Sequence, residues 1–151
     1  MAGRYDHYFN ELPDLQVVFD YEGEGAGRPD PPNVGHGFEL IGRLVQPDAK
    51  IHSTYVWITE TSQEHHWVDE HIHDYDEVLI WTGSDPDNPR DLGAELRMVI
   101  DGEEHIVTQS GSVYIPAGVR HCPLDFIKVT RPFTFSALSI APEYAGRKAD
   151  S

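Results

Sequence analysis

Cysteine is almost missing from this chain of 151 residues: Cys122 stands alone, so no disulfide can form within it. Long apolar runs are missing as well. Nowhere do 18 apolar residues follow one another, which excludes a membrane-spanning helix. The opening stretch MAGRYDHYFNELPDLQ has neither the basic start nor the apolar core of a secretion signal, so the expected compartment is the cytoplasm. Positive charge is scarce: 11 Lys and Arg stand against 26 Asp and Glu, a formal net charge of −15. That field repels phosphate backbones and anionic lipid surfaces, so neither nucleic acid nor membrane is an expected partner. A small anionic ligand is not excluded, because local pocket charge can oppose the global sign. There is no phosphate-binding glycine loop, no nucleophile elbow and no CxxC pair.

What remains has enough apolar material for one domain. The apolar fraction is 39%, and three Trp, seven Tyr and six Phe argue against general disorder. Residues 1–37 read as an N-terminal arm, with a weak helix or strand around LQVVFDY, followed by the Gly/Pro-dense loop EGEGAGRPDPPNVGHG. Residues 38–141 read as strand after strand. FELIGRLV and IHSTYVWITE flank QPDA; EHHWVDEHIH and EVLIWTG flank DYD as a hairpin; AELRMVI and EHIVTQ flank the tight-turn signal DGE. GSVYIPAGVRHCPL, DFIKVT and FTFSALSI complete about nine strands, and residues 142–151 form a polar tail, helical for a turn or frayed. No segment carries a helical stripe, so the expected class is all-β, a sandwich or closed barrel.

One stretch, HIHDYDE, concentrates metal-binding side chains. Alternate residues of a strand share a face, so His71 and His73 lie roughly 6.6 Å apart along it, close enough to converge on one ion. Glu77 then returns beyond the DYD turn. Imidazoles with a carboxylate suit Fe, Mn, Ni, Zn or Cu. About 40 residues later, GSVYIPAGVRH sets Gly111, Pro116 and Gly118 before His121, a turn that delivers a fourth donor.

These two segments resemble the paired motifs of the cupins, G(X)5HXH(X)3-4E(X)6G and G(X)5PXG(X)2H(X)3N. His71, His73 and Glu77 fall on the metal ligands of the first, with Gly83 near its closing glycine; Gly111, Pro116, Gly118 and His121 match the second. The likeness spans roughly residues 65–125. His65 replaces a glycine, two spacings are one residue short, and Asp125 stands where the family has Asn. The resemblance implies a double-stranded β-helix, or jelly-roll barrel, holding one divalent metal through His71, His73, Glu77 and His121. It implies a small organic substrate, and a homodimer joined through sheet edges.

Other residues carry two readings each. Asp69 shares the parity of His71 and serves either as an acceptor for a ligand imidazole or as a solvated carboxylate. Trp67, Leu79 and Trp81 have the parity to wall a cavity. Arg97 either points inward and clamps a substrate carboxylate or, as preferred, points outward beside Glu95. Tyr114 reads as a core aromatic more readily than as a catalytic phenol. Cys122 has the opposite parity to His121 and reads as a small core residue. His65 and His66 read as surface or rim residues; His7, His36, His52 and His105 stand in no recognisable ligand spacing and read as unspecialised. The functional expectation is a metal-dependent enzyme, first an iron-dependent dioxygenase in which Glu77 tunes the metal's charge. A non-redox lyase, decarboxylase or isomerase is the alternative, and a non-catalytic metal or small-ligand binding protein the third reading.

Overall fold

Two antiparallel sheets face each other, and the register between their strands sorts polar from apolar residues along the barrel. The structure is a computed structural model describing residues 3–13, 29–142 and 147–148. The LQVVFDY segment lies outside the described residues. The arm contributes one 3-10 turn, Asp6–Tyr8. Strands follow as β1 (Phe38–Ile41), β2 (His52–Ile58), β3 (His65–Val68), β4 (His71–Ile72), β5 (Glu77–Gly83), β6 (Asp91–Ile100), β7 (Glu103–Gln109), β8 (Gly111–Ile115), β9 (His121–Val129), β10 (Phe133–Ser139) and β11 (Arg147–Lys148). The first sheet runs β1-β2-β10-β5-β8; the second runs β11-β4-β9-β6-β7, with β3 also paired to β9. This is the expected all-β jelly-roll barrel. Within the tail, Arg147–Lys148 form β11, which pairs with β4.

The hairpin expected across DYD is not formed. His65–Val68 and His71–Ile72 belong to the second sheet, whereas Glu77–Gly83 belongs to the first. The DYD segment therefore crosses between sheets. The crossing sets the two histidines and the glutamate on facing inner walls, where side chains from both sheets interdigitate. The DGE turn does form a tight hairpin. Asp101 and Gly102 have φ of 46° and 80°, the left-handed pair that a two-residue turn needs to match strand twist.

Alternation on β10 sends Phe133, Phe135, Ala137 and Ser139 inward. Phe133 pairs with Ile58 of β2 and Gly83 of β5, while Ser139 at the other end pairs with His52 and Glu77. The barrel consequently has an apolar end, with Ile58, Leu92, Phe126 and Phe133 all fully buried. Each such side chain contributes about 1.5–3 kcal/mol by leaving water. The opposite end buries His52, His71, His73, Glu77, His121 and Ser139. Gly83 sits where the sheets close: a Cβ there would meet the Asp91 carbonyl oxygen at 2.1 Å, which only glycine avoids.

Candidate metal centre

At the polar end, four side chains converge from three segments. His71 opens β4, His73 follows it, Glu77 opens β5 and His121 opens β9. Nε2 of His71 and Nε2 of His73 are 3.1 Å apart. The Glu77 carboxylate lies 3.3 Å from His73 Nε2 and 3.4 Å from His121 Nε2. One ring nitrogen from each of His71, His73 and His121 falls within 4.8 Å of the others, so the buried trio could hold a metal ion.

Local turns aim these groups. Pro116-Ala117-Gly118-Val119 closes through Val119 N–H donating to the Pro116 carbonyl at 3.2 Å, and Gly118 takes the φ of 82° that such a turn requires. Gly118 N–H donates to the His73 carbonyl at 2.8 Å. Ala117 N–H donates to the Asp76 carboxylate at 2.8 Å, so the crossing segment and this turn brace each other. Tyr75 stacks on His73 with ring centres 4.9 Å apart.

Nδ1–H of His71 donates to the Asp69 carbonyl at 2.8 Å, and Nδ1–H of His121 to the Val119 carbonyl at 2.9 Å. A carbonyl only accepts, so both rings carry the Nδ1 proton and turn Nε2 into the cluster. Burial, reinforced by neighbouring His121, pushes the His71 pKa down to about 4, so its imidazole is neutral near pH 7. For Glu77 burial works against ionisation, but His121 and His73 outweigh it and hold the carboxyl at about 2. Glu77 Oε2 and His121 Nε2 are buried without a hydrogen-bond partner. The neutral His71 ring, Nε2 atoms turned inward, an ionised carboxylate and orphaned polar atoms at one point fit a divalent cation, which would satisfy all of them at once.

Beside the cluster lies a cavity of ≈ 50 Å³ lined by His71, Glu77, His121, Cys122 and the apolar Trp67, Val68, Leu79, Leu124, Phe135 and Ala137. Trp67 and Leu79 wall it as their parity suggested. Trp81 does not: it is core, stacked on Phe135 at 6.4 Å, with its indole N–H donating to the Gln109 carbonyl. Cys122 shares the cavity with His121, against the parity expectation. Its φ of 70° and the bulge opposite Ile100 break the alternation at the start of β9.

The remaining pocket candidates lie elsewhere. Asp69 meets His71 through its backbone carbonyl, while its carboxylate takes the His66 Nε2 at 2.7 Å. Arg97 points to the outer face, yet not toward Glu95; it donates from Nε at 2.9 Å and Nη2 at 2.5 Å to Oδ2 of Asp125. Tyr114 is neither core nor pocket: it is exposed, and its hydroxyl donates to Asp76.

Three features escaped sequence reasoning. Buried Asp125 also takes His66 Nδ1 at 2.7 Å, so Arg97, Asp125, His66 and Asp69 form a row across β6, β9 and β3. Buried His52 pairs with buried Glu39 at 3.1 Å, and Glu39 also caps the Leu44 N–H. Ser139, fully buried opposite Glu77, has a hydroxyl without a hydrogen-bond partner. Each depends on strand register, which no local spacing announces.

A closed two-sheet jelly roll with a buried histidine trio at one end defines the class of this protein. Among solved structures it is similar to a cupin 2 domain-containing protein from Halorhodospira halophila, with TM-score 0.53, 16% identity, and 83% of this chain and 76% of that one covered. The polyketide cyclase RemF from Streptomyces resistomycificus gives TM-score 0.51 and 13% identity over 97% of this chain and 84% of that one. An oxalate oxidase in complex with the substrate analogue glycolate gives TM-score 0.51 and 16% identity; 80% of this chain matches 58% of the oxidase. This chain has the cupin fold. No family model matches its sequence, and neither does any curated protein.

Proposed function

We propose that this protein is a mononuclear, divalent-metal-dependent enzyme acting on a small organic substrate, with His71, His73, Glu77 and His121 as the ligands. The observation that carries the reading is the convergence of three buried imidazoles on one point, with the ionised Glu77 carboxylate against two of them. Four protein donors leave one or two positions of an octahedral ion open, which separates a working site from a closed structural one. One carboxylate against a divalent ion leaves net positive charge, which favours an anionic donor group on the substrate.

Iron with O2-dependent oxidation is the first assignment, since imidazoles and one carboxylate suit that metal; Mn, Ni, Zn or Cu suit the donors too. A metal acting only as Lewis acid would support lyase, decarboxylase or isomerase chemistry at the same place. The fold hosts proteins named as an oxidase and as a cyclase, so fold does not choose between these. Metal analysis of the purified protein beside His73→Ala and Glu77→Ala tests the site. Equal loading of wild type and variants would overturn it. With iron present, O2 uptake on catechols, diketones and hydroxy acids separates oxidation from the non-redox alternative, and metal binding with no turnover supports a binding protein.

The reading includes a homodimer in the cytoplasm. In place of the sheet edges that the resemblance implied, the dimer's support is the outer face of the first sheet, where Leu40, Tyr55, Trp57, Ile80 and Tyr114 stand among Ser and Thr and no outward position of its strands is charged. Two copies at −15 each meet with least repulsion through such a face. Light scattering is expected to return a dimer, and Trp57→Glu a monomer; a monomeric wild type refutes it.

A further inference from the structure

The cavity beside the cluster is small, and its chemistry is one-sided. A volume of ≈ 50 Å³ has room for about four water-sized groups. Glu77, His71 and His121 form its polar wall; Trp67, Val68, Leu79, Cys122, Leu124, Phe135 and Ala137 form the rest. The Trp67 indole N–H is already committed to Asp30 at 2.9 Å. Among the described residues no Lys or Arg lines it. Three basic side chains are engaged elsewhere: Arg97 with Asp125 on the outer face of the second sheet, Arg120 with Asp101, Arg131 with Asp91.

We infer that the ligand of this site is a compact, singly headed anion with an apolar tail, of the short-chain monocarboxylate class. The inference rests on the metal-ligand reading of His71, His73, Glu77 and His121. The head group meets the metal, and the tail, two or three carbons long, fills the space between Leu79, Phe135 and Ala137. A second carboxylate or several hydroxyls would be stripped of water against Leu, Phe and Ala, with only the weak thiol donor of Cys122 and no cation among the described lining residues to replace it. An aromatic ring exceeds the space and would force packed side chains off their rotamers. Anionic ligands that need an arginine clamp find none among the described lining residues, and size limits the rest.

The test uses full-length protein loaded with Co(II), whose visible absorption reports ligands entering the metal's coordination sphere. Propionate, succinate and benzoate are titrated separately, and bound cobalt is counted independently by elemental analysis. Propionate is expected to change the spectrum at concentrations about tenfold or more below those needed for succinate or benzoate. Leu79→Ala is expected to narrow the gap for benzoate while leaving succinate weak, because it adds space but no cation. Ala137→Leu is expected to remove the propionate response with cobalt still bound. Succinate or benzoate matching propionate on cobalt-loaded wild type overturns this inference and leaves the metal site standing. Failure of the wild type to bind cobalt overturns the metal reading itself, and this inference with it.

Discussion

Asp125→Asn tests the row of charges that ties β3 to the barrel. The carboxylate is 2% exposed and accepts three short hydrogen bonds: two from Arg97 at 2.5 and 2.9 Å, and one from His66 at 2.7 Å. Asparagine keeps the shape but offers one acceptor oxygen. With that oxygen kept on Arg97, the amide N–H2 faces His66 Nδ1, which can accept only as a neutral ring protonated at Nε2, so both charge-assisted contacts are weakened. Charge-assisted bonds contribute about 1.5–3 kcal/mol each when a partner is lost, and a water can replace part of that because Arg97 and His66 are partly exposed. The expected net loss is about 2–3 kcal/mol. For a domain of this size that lowers Tm by about 5–10 °C. Urea unfolding followed by Trp fluorescence gives the value directly, with an unchanged m-value as the sign that only stability moved. Arg97→Met is expected to cost less than Asp125→Asn, because Arg97 is one-third exposed and His66 still holds Asp125. An Asp125→Asn protein within about 0.5 kcal/mol of wild type refutes the reasoning, since surface substitutions alone give that much.

Three further outcomes are expected. Chelation followed by reloading at a metal concentration about 100 times Kd should raise stability by about 2.7 kcal/mol, read as a reversible rise in Tm that Glu77→Gln diminishes. In the chelated protein, stability should be fully present above pH 6.5 and fall as pH drops toward 4. The reason is that His71 releases its proton at about 4 in the folded chain but near 6.5 in the unfolded one, so the unfolded state binds the extra proton across that window. The displacement corresponds to about 3 kcal/mol, and a flat stability profile between pH 7 and 4.5 contradicts it. Gly118→Val should cost about 1–2 kcal/mol, because a β-branched residue is forced to φ near 82°, and should weaken metal retention by loosening the turn that holds the His73 carbonyl. Thermal unfolding and metal content measured together check both effects.

Much of the centre is local in origin and therefore readable from residues. The His-x-His pair, the glutamate four positions on, and the Pro-x-Gly turn before His121 encode their own geometry through strand alternation and the left-handed φ at Gly118. The all-β class follows from short alternating runs with Gly and Pro between them. The acidic DYD segment is different, since three polar residues suit a hairpin as well as a crossing between sheets. Only the pairing of β5 with β8 and β10, and of β4 with β9, decides that it crosses. The same holds for Arg97, whose partner is the residue beside it on β9 and not Glu95 two positions away on its own strand. Cys122 turned toward the cavity because a backbone irregularity at the head of β9 broke the parity on which its placement depended. What the sequence determined by itself was composition, alternation and the donors' spacing, because these act within a few residues. Register, bulges and the meeting of two sheets depend on chain segments tens of residues apart, and they decided which side chains stand together and how little space is left beside them.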